Sequence, residues 1–394
     1  MINTNTIGQK MKCSSFSSTS GVQESFFTGI STDGLPLKEA FNEVAAAYMA
    51  ALNENGLDLS TQQFMRIYIS DVSNDEIWIL ESELYKIASK SAFAILQQSP
   101  LGDAEVGILA YHIKTADGTF QKEFISSDKN YNNQSVLAKG QNYSLLWTSN
   151  YIDIGGPYDS YKQTDTIFKN LTRDLAEHDM TIRNNTIRTW IFCRDVDNNY
   201  KGMVDRRREI FQDIGLTAKT RYIASTGIDG SCVDVKTLVT LDALSVKNIQ
   251  EEQIVRMMAL ENLSDTIVYG VTFERGFRIR YGDRSHIYIS GTASIDADGN
   301  TIFISDIRNQ TERTLDNIEA LLKPHGATMG DMQYLIIYLR NRKHWSQIQD
   351  ILTTRIPESV AIIPVEAPVC RPNWLIEIEG VGAIPDSNDF PPFA

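Results

Sequence analysis

Two glutamates near the C-terminal end of the chain have the spacing that acid–base chemistry requires. Glu377 and Glu379 alternate with Ile376 and Ile378 in the run WLIEIEG. In a strand, residues two apart point to the same side and lie roughly 7 Å from each other. Two carboxyl groups at that separation disfavour double ionisation, and burial strengthens the effect. The pair therefore predicts either a protonated carboxyl group that acts as a general acid or a simple solvated strand face.

Arginine side chains fall where an apolar helix face is expected. Arg207 lies in line with Met203, Ile210 and Ile214 on a predicted helix, and Arg208 interrupts the adjacent apolar line. A buried guanidinium needs an anionic partner. That partner is either a structural Asp or Glu or a carboxylate of the substrate.

Two further arginines are candidates for the same role. Arg188 lies on a predicted strand, where it either contacts a substrate or pairs with Asp195 or Asp197. Arg371 lies in a loop six residues before Glu377, although loop arginines are usually exposed. Both are predicted to bind an anionic substrate.

Small residues complete the candidate site. Cys370 precedes the loop arginine and is predicted to shape a pocket, because an isolated cysteine is more often a small buried hydrophobe than a nucleophile. Thr226 and Gly227 belong to the turn STGIDG. Backbone N–H groups of such a turn can bind a carboxylate, and a plain turn is the alternative.

Composition excludes several classes of protein and of site. The 394 residues include 50 acidic and 37 basic side chains, so a net charge of −13 disfavours nucleic acid as a ligand. The four cysteines are far apart and the five histidines lack metal-binding spacing, so neither a metal nor another cofactor is expected. No apolar run is long enough for a membrane helix or a signal peptide, which predicts a cytoplasmic protein.

The sequence repeats one unit three times. The segment LLKPHGATMGDMQYLIIYLRN, from residue 321, aligns without gaps with segments 146 and 270 residues earlier, and QTERTLDNIEALL aligns with QTDTIFKNLTRDL. Each copy reads as β-β-α-β-α-β, an α+β unit with helices on one face of a sheet. We expect a mobile leader (1–20) and units at 21–115, 116–250 and 251–394. The first two units lack the glutamate pair, having AYHIK and VTLDA instead.

The third copy resembles the RidA/YjgF superfamily, also called endoribonuclease L-PSP, through SGTASID, QTERTLDNIEALL, LIIYLRN and CRPNWLIEIEG. Members of that superfamily are homotrimers of one small, chorismate-mutase-like α+β domain with clefts between subunits. The resemblance implies that three copies in one chain form a covalent pseudo-trimer, either monomeric or weakly dimeric.

A narrower resemblance lies in the middle copy. The segments IRTWIFCRDVDNNYKGMVDRRREIF and TRYIASTGIDG are similar to the chorismatase branch, as is the CRPNWLIEIE run. Those enzymes remove pyruvate from chorismate and leave a hydroxybenzoate or a dihydroxycyclohexadiene carboxylate. The resemblance implies that Glu377 is the catalytic acid, that Cys370 helps to select the product, and that Gly227 lies near the substrate ring.

Two departures from these families bear on function. Residues 296–299, Asp-Ala-Asp-Gly, replace a Val-Gly-His-Glu-like segment of chorismatases. The deaminase branch has a substrate-binding arginine where this chain has Ile362. The sequence therefore favours a chorismatase-like lyase or hydrolase that acts, without cofactor, on a small anionic enol ether. The alternatives are a RidA-like enamine or imine deaminase and a non-catalytic binding protein of the same fold.

Overall fold

A computed structural model describes residues 11–115, 118, 120–126, 134–265 and 271–394. Each of the three units forms one mixed β-sheet. The first sheet contains five strands and the other two contain six.

The first unit contains five strands and three helices. Their bounds are β1 Lys12–Ser17, β2 Val22–Ile30, α1 Leu37–Glu54, β3 Gln62–Ile69, α2 Glu76–Glu81, α3 Glu83–Ala88, β4 Ala92–Gln97 and β5 Val106–Thr115.

The second unit contains six strands and three helices. Their bounds are β6 Gln121–Ser126, β7 Gln134–Lys139, β8 Ser144–Tyr151, α4 Ser160–Ala176, α5 Ile182–Asn185, β9 Thr186–Cys193, α6 Val196–Asp213, β10 Ala224–Asp229 and β11 Val239–Lys247.

The third unit contains six strands and two α-helices. Their bounds are β12 Ile254–Arg256, β13 Gly276–Arg280, β14 Arg284–Ala293, α7 Ile307–Leu322, β15 Met332–Leu339, α8 Trp345–Arg355, β16 Ala361–Glu366 and β17 Ile376–Pro385. Short 3₁₀ turns cover Glu251–Gln253, Lys323–His325, Met329–Asp331 and Arg342–His344.

All three sheets share one topology. The strand orders are β1-β2-β5-β3-β4, β6-β7-β8-β11-β9-β10 and β12-β13-β14-β17-β15-β16. In each sheet the closing strand (β5, β11 or β17) lies in the middle, antiparallel to both neighbours, and the edge strand β4, β10 or β16 is parallel to its neighbour. The expected α+β class with three similar units is confirmed.

The expected unit contained too few strands. Each unit has an additional edge strand (β4, β10 or β16) between its last helix and its closing strand. These strands are six residues long, and β16 contains Pro364, which is tolerated at a sheet edge because no ladder hydrogen bond to its nitrogen is needed there. Polar residues in ASTGID and the proline in AIIPVE removed the alternation by which strands are recognised.

The expected mobile leader also differs from the structure. Lys12–Ser17 forms β1 and pairs antiparallel with Gln23–Thr28 of β2, so these residues belong to the first sheet. The Ser/Thr-rich composition that suggested a leader is compatible with a strand because threonine and serine can alternate with larger residues. Residues 1–10 of the proposed leader lie outside the described residues.

Two equivalent glutamines explain part of the sequence repeat. Gln163 at the start of α4 accepts a hydrogen bond from the backbone of Leu238 at 2.7 Å. Gln310 at the start of α7 accepts one from the backbone of Leu375 at 2.8 Å. Each glutamine therefore fixes its helix to the entry of the closing strand, and in the third unit this entry leads directly to Glu377.

The units contact one another in a cycle. Edge strand β4 of the first unit packs on β7 and β8 of the second, β10 of the second packs on β13 and β14 of the third, and β16 of the third packs on β1 and β2 of the first. The largest apolar core contains buried residues from all three units, and smaller cores lie within the first and second units. In the described ranges, no helix is long and apolar enough to span a membrane.

Candidate active site

The two glutamates lie on the central strand of the third sheet and are buried. Glu377 pairs with Ala293 of β14 and Tyr338 of β15, and Glu379 follows two residues later. The exposed fractions are 3% for Glu377 and 1% for Glu379. The alternative of a solvated strand face is therefore wrong.

A cavity opens between the second and third units beside Glu377. It has a volume of about 590 Å³, part of which is open to solvent. Helix α6 and strand β10 form one wall, and β14, β17 and the 370–374 loop form the other. The lining residues are Tyr200, Arg207, Ser225, Gly227, Val271, Phe273, Arg275, Gly291, Ala293, Ile295, Cys370, Arg371, Trp374 and Glu377.

Glu379 is held by donors from two units. Its Oε1 accepts a hydrogen bond from the Tyr338 hydroxyl at 2.7 Å. Its Oε2 accepts from the Arg188 guanidinium and from the Thr226 hydroxyl, both in the second unit. Arg188 and Glu379 form a buried ion pair, which fixes a negative charge beneath Glu377.

The Glu377 carboxyl group lacks such partners. Burial, and then the charge of Glu379, raise its pKa to about 8, against smaller opposite effects of Arg188 and Arg275. Within the described ranges, no hydrogen bond or ion pair involves its carboxyl oxygens. Glu377 is thus a neutral acid at pH 7, facing a cavity.

A glycine provides the space for this carboxyl group. At Gly291 in β14, an added Cβ atom would lie 1.9 Å from Glu377 Oε1. Any side chain there would displace the carboxyl group. The glycine of the SGTAS motif is therefore required where Glu377 crosses its neighbouring strand.

Three arginines line the cavity. Arg207 is 1% exposed; its Nε donates to Thr272 Oγ1 at 3.2 Å and its Nη1 lies 3.5 Å from Ser225 Oγ. Its Nη2 has no hydrogen-bond partner, and among the described residues no carboxylate forms an ion pair with Arg207. Burial lowers its pKa. The buried cation thus faces the cavity, and no carboxylate of the described ranges neutralises it.

The other two arginines have different environments. Arg275, 5% exposed, donates to Ser264, and burial together with nearby Arg371 lowers its pKa to about 10. The Arg371 guanidinium lies 4.7 Å from the Trp374 ring centroid and donates to the Gly299 carbonyl at 3.3 Å. Residues 296–299 therefore form a turn that holds Arg371 at the cavity.

Three smaller or neutral residues also line the cavity, namely Cys370, Tyr200 and Gly227. Burial, followed by the charge of Glu377, raises the pKa of the Cys370 thiol to about 12, so the thiol is neutral. The Tyr200 side chain lies beside this thiol. A Cβ atom at Gly227 would lie 2.9 Å from the Tyr200 ring, so this glycine lets the ring approach.

The structure brings most of the predicted residues together. Glu377, Cys370, Arg371, Arg207 and Gly227 line one cavity. Three other predicted residues lie behind its wall as a connected group, comprising Arg188, Thr226 and Glu379.

Two expected side-chain environments are wrong. Arg188 does not pair with Asp195 or Asp197, because it points between the units to Glu379. Arg208 is not buried in an apolar stripe; it is exposed and pairs with Asp205 on the solvent side of α6.

Sequence reasoning missed several residues of the cavity, among them Gly291, Tyr200 and Arg275. Gly291 lies within SGTAS, so its motif carried a signal. Tyr200 lies seven residues before Arg207 on the same helix face, a spacing that also offered one. Arg275 precedes a short strand, and nothing local to its sequence indicates the site.

In the other two closing strands, the position that corresponds to Glu377 carries no acid. In register with Tyr338 and its equivalents, Gly107 of β5 and Thr240 of β11 occupy the place of Glu377. The space beside Gly107 contains Ile30, Ile363 and Pro100. In the second unit, Asp242 replaces Glu379 and pairs with Arg66 of the first unit. Within the described residues, no group of three or more His, Cys, Asp or Glu side chains is arranged to hold a metal ion.

Comparison with known proteins agrees with this architecture. The endoribonuclease L-PSP family model matches residues 279–384, which include SGTAS and both glutamates. The resemblance of the third unit to this family is confirmed.

Solved structures extend the comparison to the other units. A chorismatase crystal structure is 15% identical, covers 93% of this chain and 99% of its own, and has a TM-score of 0.63. At this identity the likeness concerns the fold. Two single-unit structures each cover about a third of this chain: an endoribonuclease L-PSP-like protein from Entamoeba histolytica (15% identity, 33% of this chain, 99% of that chain, TM-score 0.29) and RidA from a Psychrobacter species (17%, 32%, 98%, 0.27).

Proposed function

We propose that this protein removes pyruvate from chorismate or a closely related enol-ether acid. The observation that carries the proposal is the neutral Glu377 acid in a cavity lined by three arginines. Vinyl-ether hydrolysis needs a proton donor that remains protonated near neutral pH, and a dicarboxylate substrate needs cations. Each requirement has a counterpart in this cavity.

The reaction needs no cofactor in this scheme. Glu377 donates its proton to the terminal methylene carbon of the enolpyruvyl group, which leaves an oxocarbenium ion on the adjacent carbon. Water attacks that carbon and returns a proton to the Glu377 carboxylate. The hemiketal then collapses to pyruvate and the ring alcohol, so the acid is regenerated and no redox change occurs.

The surrounding residues have distinct tasks in this proposal. Arg207, whose Nη2 has no partner, binds one substrate carboxylate, and Arg371 and Arg275 bind the other. Phe273 and Trp374 provide apolar surface for the ring. Neutral Cys370 and Gly227 limit the position of the ring rather than react with it.

The closing strands of the other two units have Gly107 and Thr240 at the position of Glu377, so one cleft of three would carry the activity. We also propose that the chain works as a covalent pseudo-trimer, monomeric or weakly dimeric, since its three units already contact each other in a cycle.

The deaminase alternative is less well supported. Its expected arginine position is Ile362 of β16, which packs against the apolar core.

The test is incubation of the protein with chorismate while pyruvate is followed by coupled reduction with lactate dehydrogenase. We expect pyruvate and a non-aromatic or aromatic ring acid in equal amounts from the wild type, and a loss of at least about 10²-fold in the Glu377→Gln variant. Chorismate binding by calorimetry without pyruvate release would favour a binding protein. Ammonia release from enamine substrates would favour the deaminase.

A further inference from the structure

A buried threonine of the second unit contacts the surroundings of both glutamates of the third. Thr226 Oγ1 accepts hydrogen bonds from Arg188 Nη2 at 2.6 Å and from the Gly291 backbone N–H at 3.0 Å. It donates to Glu379 Oε2. Thr226 is 1% exposed and does not line the cavity, so these contacts are not displaced by solvent or substrate.

The direction of these hydrogen bonds follows from chemistry. Guanidinium and backbone N–H groups can only donate, so they occupy both acceptor sites of the hydroxyl. Its single proton must then go to the Glu379 carboxylate, which can only accept when ionised. The hydroxyl is fully used, and it donates to the same Glu379 oxygen that accepts from Arg188, which stabilises the charged form of that carboxylate.

The same hydroxyl fixes the strand beneath Glu377. Gly291, whose N–H it accepts, is the residue over which the Glu377 carboxyl group lies. Thr226 of the second unit therefore contacts both the strand beneath the Glu377 carboxyl group and an oxygen of Glu379, which belong to the third unit.

Other charged and titratable groups also face Glu377 and enter any account of its protonation. Glu379 lies on the same strand as Glu377. Arg188 lies on β9, and Arg275 lies directly before β13. Tyr200 and Cys370 are neutral because burial raises the pKa of each. The charged groups around the acid are Glu379, Arg188, Arg275, Arg207 and Arg371.

We propose that Thr226 is a positioning residue that keeps the proton of the glutamate pair on Glu377 by holding Glu379 as the ionised partner. This role rests on the proposed function for its consequence in turnover, although the protonation itself does not. Without the hydroxyl, Glu379 loses one of its three side-chain donors, whereas the Gly291 N–H and an Arg188 N–H lose their acceptor. With one donor lost, fewer hydrogen bonds stabilise the Glu379 carboxylate, which weakens the preference for the proton of the pair to lie on Glu377.

The first test needs no substrate. Glutamate side chains are labelled with ¹³C at the carboxyl carbon, and the Glu377 signal is assigned by its loss in Glu377→Gln. Thr226→Val keeps the size and removes the hydroxyl; Thr226→Ser keeps the hydroxyl. We expect the Glu377 titration midpoint to fall by about one pH unit or more in Thr226→Val and to stay within about 0.3 unit of wild type in Thr226→Ser.

Matched variants separate positioning from general loss of packing. Thr148→Val removes another buried hydroxyl of the second unit, which donates only to the Ala243 carbonyl at 3.2 Å, and should leave the midpoint unchanged. If Thr226→Val does not fold, Thr226→Ala replaces it. An unchanged midpoint in the folded variant lacking the hydroxyl would overturn the proposal.

The second test uses the pH profile of pyruvate release. We expect the alkaline limb of kcat to move down by the same amount in Thr226→Val, with rescue in Thr226→Ser. If the wild type releases no pyruvate but the titration midpoint moves as expected, the proposed function fails and the positioning role stands. If pyruvate release is normal and its limb does not move in Thr226→Val, the positioning role is wrong.

Discussion

The protonation of Glu377 should be visible in the stability of the protein. In the fold its pKa is about 8, against an ordinary value of 4.5. The folded state therefore binds a proton that the unfolded chain releases between these two values. A raised carboxyl pKa contributes stability below about pH 4.5, and this contribution is lost as the pH rises towards 8. Glutamine is neutral at every pH, so Glu377→Gln should not show the loss.

The magnitude follows from the two pKa values. Because the unfolded chain releases this proton while the fold retains it, the free energy of unfolding falls by roughly 1 kcal/mol by pH 5, roughly 3 kcal/mol by pH 7 and roughly 4 kcal/mol by pH 8. The free energy of unfolding of Glu377→Gln, minus that of wild type, should thus rise by roughly 3 to 4 kcal/mol between pH 5 and pH 8. It should level off above pH 8.

The assay is denaturant unfolding of both proteins in the same buffers from pH 5 to pH 9. All other titrating groups are common to the two chains and cancel in the difference. Glu54→Gln at the exposed end of α1 controls for the amide substitution itself. A difference between Glu377→Gln and wild type that does not change with pH would refute a raised pKa, and the general-acid reasoning would fail with it.

Further predictions concern the cavity and the assembly. Gly291→Ala should lower turnover by more than about 10²-fold, measured as pyruvate release, because its Cβ would occupy the place of the Glu377 carboxyl; normal turnover would contradict the described geometry. Arg207→Met should raise the free energy of unfolding by about 1 kcal/mol or more, because it removes a buried cation. Substrate binding measured by calorimetry should weaken by about 2–5 kcal/mol. Unchanged binding would mean that this arginine has a structural role only. Glu379→Gln should shift the alkaline limb of the pH profile downward, since it removes the charge that raises its neighbour's pKa, and an upward shift would reverse the assigned cause. Light scattering should give a mass near that of one chain or a weak dimer, and a stable homotrimer would contradict the covalent pseudo-trimer.

Local periodicity was sufficient to predict much of this protein. Alternation along β17 placed Glu377 and Glu379 on one side of a strand, and helical spacing along α6 predicted the burial of Arg207. The repeat predicted three similar α+β units because each sheet is built from strands of one unit only. Short edge strands such as β10 and β16 escaped notice, since polar residues and a proline mask their alternation.

Contacts between units were decided only by the tertiary structure. Arg188 and Glu379 are 191 residues apart, and Thr226 and Gly291 are 65 apart. Their contacts depend on how one sheet packs against another, which a pattern of neighbours along the chain does not contain. Burial is the physical reason that these contacts matter, because it raises the pKa of Glu377. It also removes Arg207 from solvent, and no carboxylate within the described ranges pairs with that guanidinium. The sequence by itself thus determined which residue types and units are present, and the packing of the units determined their protonation and their partners.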